Sequence, residues 1–73
     1  MINKEAKYLS DMGSNVKAYR KKRHLTQKEL AVKCEMGEAS ISKIESGKMN
    51  ISVLTLKKIA VALEVSPAIF FSE

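Results

Sequence analysis

Apolar residues recur along this chain at helical spacing, and short polar breaks cut the pattern into segments. Val16, Tyr19 and Arg20 share a face of a first helix, predicted from about Asp11 to Arg23. Gly13 is a weak spot in it, which draws the expected start toward Ser14. Tyr8, Leu9 and the tail before them either lengthen this helix or trail as a basic arm, and the pattern does not choose. Thr26-Gln27-Lys28-Glu29 reads as a capping box opening a second helix, with Leu30, Ala31 and Cys34 on its apolar face. After Glu35-Met36-Gly37, a third helix runs from Glu38 to Ser46, with Ile41 and Ile44 inward and Gly47 as its stop. Ser52 caps a fourth helix from Val53 to about Leu63, whose core stripe is Val53, Leu56, Ile59, Ala60 and Leu63. Ser66-Pro67 starts a last short helix, with Ser as cap and Pro at the first helical position. No segment alternates with the period of two that marks a half-buried strand.

Composition narrows the classes. At 73 residues and 45% apolar, the chain makes one small folded domain. Its single Cys forms no internal disulfide, and no Cys/His cluster has metal spacing. No apolar run approaches the length of about 20 residues that a membrane span needs. The first residues, Met1-Ile2-Asn3-Lys4-Glu5-Ala6-Lys7, carry no apolar signal core, so a cytoplasmic protein is expected. His24 is the one histidine available to a catalytic triad, and so short a chain supplies few pocket walls. No enzyme is expected, and no cofactor or metal. Charge is uneven: net +6 over residues 1–33 and −1 over 34–73, for the total of +5. A basic half suits a polyanion such as nucleic acid, or else only a solvated face.

Two helices of about two turns separated by three residues form a helix-turn-helix pattern. The residues on it say more. Leu25-Thr26-Gln27-Lys28-Glu29-Leu30-Ala31, then Ile41-Ser42-Lys43-Ile44-Glu45-Ser46-Gly47, then Leu56-Lys57-Lys58-Ile59-Ala60-Val61-Ala62-Leu63 resemble the Cro/phage-repressor (XRE) family of DNA-binding domains over about residues 13–71. The stretch from Asn50-Ile51-Ser52 to Phe70-Phe71 also looks like restriction–modification controller proteins, a branch of that family. The resemblance implies an all-α fold: a compact five-helix lambda-repressor-like bundle containing the helix-turn-helix. Residues 1–12 would form an N-terminal extension to a DNA-binding domain over 13–73.

The family's residue roles carry over position by position. Gln27 matches a phosphate contact beside the N-terminus of the second helix, where free amides attract anions. Arg20 and Glu45 match an ion pair that fixes the angle of the third helix. That helix should enter the major groove, with Glu38, Ala39, Ser42 and Lys43 at base-reading positions and Ser40 beside them. Glu38 either accepts from a cytosine amino group or is a first-turn residue turned aside. For Lys43, base and phosphate contact both stay open. Ser46 and Lys48 match phosphate contacts. Two departures affect the turn: Glu35 stands where the family often has Gly, and Gly37 where it usually has a Ser or Thr cap. Glu35 is thus expected at positive φ.

The resemblance also implies a twofold dimer. Leu54, Val61, Pro67, Ile69 and Phe71 lie off the core stripe and are the expected interface, whereas Phe70 points inward. The expected function is sequence-specific binding of double-stranded DNA, as a homodimer on a palindromic operator, to regulate transcription. Two alternatives stand beside it. One is an antitoxin or restriction–modification controller acting on its own operon. The other is a protein-interaction module that kept the fold and lost DNA binding.

Overall fold

The computed structural model describes residues 4–70. Four α-helices follow one another: α1 Lys4–Lys22, α2 Gln27–Cys34, α3 Glu38–Glu45 and α4 Val53–Leu63. A 3-10 turn, Pro67–Phe70, closes the described chain. The expected fifth helix is therefore only this turn. Its four residues leave room for an Ile69 N–H to Ser66 carbonyl bond of 3.2 Å but for no longer ladder. The architecture is all-helical with a helix-turn-helix, and no described helix is long and apolar enough to cross a membrane.

One core joins every element. Met12 and Val16 from α1, Leu30 and Ala31 from α2, and Ile41 and Ile44 from α3 are buried in it. Leu56, Ile59, Ala60 and Leu63 supply the α4 face, and Phe70 closes the end against Tyr19, ring centroids 6.4 Å apart and edge to face. Val53 does not belong to that stripe. It is 61% exposed, as is its neighbour Leu54 at 65%.

α1 starts at Lys4, well before the predicted Asp11. Residues 4–10 carry no apolar stripe of their own, so tertiary contacts hold these turns. The Tyr8 hydroxyl donates to the Phe70 carbonyl at 3.1 Å, and Leu9 packs against the core. Lys7 pairs with Asp11 one turn on, at 2.9 Å. Gly13 proves to be a close contact rather than a weak spot. A side chain there would press into the Ile44 and Glu45 carbonyl oxygens, where α1 backs onto the end of α3.

All four helices end in the same way. Leu25 N–H bonds the Arg20 carbonyl at 3.1 Å, Met36 that of Ala31 at 2.9 Å, Lys48 that of Lys43 at 2.9 Å and Val65 that of Ala60 at 3.0 Å. Each is the closing bond of a left-handed helix end, and the residue before it takes positive φ. Those residues are His24, Glu35, Gly47 and Glu64, with φ of 57°, 56°, 75° and 58°. Glue for three of the ends is apolar, since Leu25, Met36 and Val65 pack against the core. At α3 the corresponding residue is Lys48, which is exposed.

Candidate nucleic-acid interface

The capping box predicted at Thr26 is present: Thr26 Oγ1 accepts from the Glu29 N–H at 3.0 Å, and Glu29 accepts from the Thr26 N–H at 2.8 Å. These bonds from Thr26 hold the Glu29 carboxyl below the usual carboxylate range. α2 thereby begins at a defined point, with Gln27 as its first residue. At its far end Glu35 turns the chain left-handed, as the Gly common at that position in the family implied. Gly37 then enters α3 with extended backbone and no side-chain cap.

One side of α3 is open to solvent. Glu38, Ala39, Ser42 and Lys43 are exposed, and Ser40 is half-buried. Ser46 and Lys48 are exposed just beyond the helix, where the Ser46 hydroxyl donates to the Lys43 carbonyl at 3.1 Å. Exposed polar residues thus run along α3 and its exit, with Ala39 among them.

The opposite end of α3 is anchored by a buried cluster. Arg20 Nε donates to Glu45 Oε2 at 2.6 Å and Nη2 to Oε1 at 3.1 Å, a two-pronged pair with side chains only 10% and 3% exposed. Arg20 Nη1 donates to the Leu25 carbonyl at 2.7 Å. Gln27 Nε2 also donates to Glu45 Oε1, at 3.1 Å. The Arg20–Glu45 pair, 25 residues apart, was expected only from the family resemblance, which implied no Gln27–Glu45 bond; no local spacing marks either contact.

Much of the basic run at the end of α1 does structural work. Arg23 donates to the Leu63 carbonyl at 3.0 Å and pairs with Glu64 at 3.5 Å, so it caps the C-terminus of α4. Lys22 lies over the Tyr19 ring, 5.2 Å from its centroid. Lys17 and Lys21 remain solvent-facing. Cys34 is buried, and that burial pushes its thiol above the usual range, consistent with inert packing. His24 is exposed in the loop.

A capped helix, a tight left-handed turn and a second helix with a polar, open first turn together define a helix-turn-helix DNA-binding domain. The chain belongs to the helix-turn-helix family of XRE type, whose model matches residues 16–70. It is 36% identical over 62 residues to the immunity repressor protein of Bacillus phage phi105, spanning 85% of this chain but 43% of that protein. Among solved structures it is similar to the restriction-modification controller protein C.AhdI from Aeromonas hydrophila. That likeness has a TM-score of 0.88 at 25% identity and covers 94% of this chain and 100% of that one. The biofilm master regulator SinR, solved in complex with DNA, matches with a TM-score of 0.80 at 31% identity, over 84% of this chain and 98% of that one. The phage relative is a repressor by name and SinR a regulator by name, and this chain shares their helix-turn-helix domain.

Proposed function

We propose that this protein reads a specific duplex sequence as a homodimer on a palindromic operator, with residues 13–73 as the DNA-binding unit. The observation that carries the reading is the asymmetry of α3. Its end at Glu45 is held by Arg20 and Gln27, while Glu38, Ala39, Ser42 and Lys43 face solvent. Glu38, Ala39, Ser42 and Lys43 would meet base edges in the major groove, with Ser40 supporting them. Ser46 and Lys48 would hold phosphates. Gln27 would do the same with its second amide hydrogen, the first being given to Glu45.

The dimer rests on apolar surface. Leu54 and Val61 are 65% and 74% exposed on the outer side of α4, and Pro67 and Ile69 are half-buried on the following turn. Phe71, the remaining interface residue expected from the sequence, lies outside the described residues. A twofold through this surface would set two copies of α3 about 34 Å apart, one turn of duplex. A controller acting beside its own gene is a second reading, supported by the likeness over the whole length of C.AhdI.

Selection on a random duplex library, with sequencing of the bound pool, tests the proposal. An enriched inverted repeat is the expected outcome. A single unrepeated motif would remove the dimer, and no enrichment from folded protein would overturn sequence reading altogether.

A further inference from the structure

The reading above leaves the first turns of α1 without a task, yet they stand beside the proposed phosphate-binding loop. Gly47, between Ser46 and Lys48, abuts the backbone of Leu9 and Ser10. From that contact, α1 runs back toward Lys4 while the loop runs forward to Asn50. The two residues meet again at a depression of about 440 Å³, lined by Lys4, Glu5, Tyr8, Leu9 and Asn50. Lys4 and Asn50 are both exposed. Lys4 makes no ion pair among the described residues, whereas Lys7, the next cation, is engaged by Asp11 at 2.9 Å.

An ammonium and a carboxamide lining one depression offer several N–H donors and suit a phosphate. Duplex DNA carries a charge for about every 1.7 Å of its axis, so a protein edge that continues past Lys48 meets further phosphates. Glu5 is the one carboxylate among the lining residues, and the site works only if Lys4 outweighs it. We propose that Lys4 and Asn50 jointly bind one DNA backbone phosphate, carrying the contact of the loop after α3 onto the first turn of α1. This rests on the duplex-binding reading given above.

The test is the salt dependence of binding to a short mixed-sequence duplex. Wild type is compared with Lys4→Ala, Asn50→Ala, the double variant and Lys33→Ala. Lys33 is an exposed cation by the α2–α4 groove, which shares no lining residue with this depression. Circular dichroism first establishes that each variant keeps its helices. Lys4→Ala should lower the slope of log K against log salt by about 0.9, the loss of one phosphate. Asn50→Ala should weaken binding with the slope unchanged, and the two losses should overlap rather than add, since both act on one phosphate. A wild-type slope for Lys4→Ala, or an equal fall for Lys33→Ala, would overturn the proposal. Failure of the wild-type chain to bind duplex at low salt would overturn the underlying reading instead.

Discussion

Glu45 is the residue on which the arrangement turns. Its carboxylate accepts from Arg20 twice and from Gln27 once, so residues from α1, α2 and α3 converge on one buried group. Removing one partner strands a charge away from water. Arg20→Ala should therefore cost about 3–5 kcal/mol in urea unfolding at neutral pH. Glu35 is the converse case, a residue held at φ 56° where a side chain is unwelcome. Glu35→Gly should stabilise the fold by about 1 kcal/mol in the same assay, because the left-handed turn then carries no Cβ strain. Gly13 shows a limit of residue-level reading. Its helix propensity suggested a break, but its value lies in the missing side chain, which only the packed α3 reveals.

At the scale of elements, what the sequence showed were the features encoded within a few residues. Thr26 and Glu29 announced the start of α2, Ser52 that of α4 and Gly47 the end of α3. The left-handed ends at His24 and Glu64 escaped notice because neither is glycine. A trace was present: an apolar residue, Leu25 or Val65, follows each and returns to the core. The first turns of α1 were not legible, since Tyr8 is secured by Phe70, 62 residues away. The exposure of Val53 was also missed. Helical periodicity says which residues share a face, not which of them its neighbours cover. The capping box makes a pH prediction. Glu29 ionises below the usual range, so its stabilising contribution is complete at neutral pH. That contribution is lost as pH falls through the depressed value. The Thr26 amide resonance should titrate with a midpoint below the ordinary carboxylate range, and Glu29→Gln should abolish the titration.

For the molecule as a whole, charge and apolar surface divide the work. Cations of the first half that might have formed a simple basic patch are partly consumed inside the fold, Arg20 on Glu45 and Arg23 on the end of α4. The surface proposed to meet DNA is accordingly drawn from α3 and its exit more than from the most basic run in the chain. Apolar exposure on α4 gives the corresponding prediction for assembly. Val61→Glu should shift the sedimentation of a dimer to that of a monomer while leaving the helical content unchanged. It should also weaken operator binding steeply with dilution, because two half-sites are then no longer joined.

The one-sided anchoring of α3 makes the helix a lever. Its fixed end is at Glu45 and its deepest-buried point nearest the tip is Ile41, whereas nothing lies within 4 Å of where a Gly37 side chain would be. Eight residues at 1.5 Å each put the tip about 10 Å from the pivot, so a tilt of about 5° at the anchor displaces it by about 1 Å. That is enough to exchange one base-edge hydrogen bond for another. A change at Gly13 or Arg20, neither of which is proposed to touch DNA, would then re-aim the tip and alter which operator is preferred before it altered how tightly DNA is held.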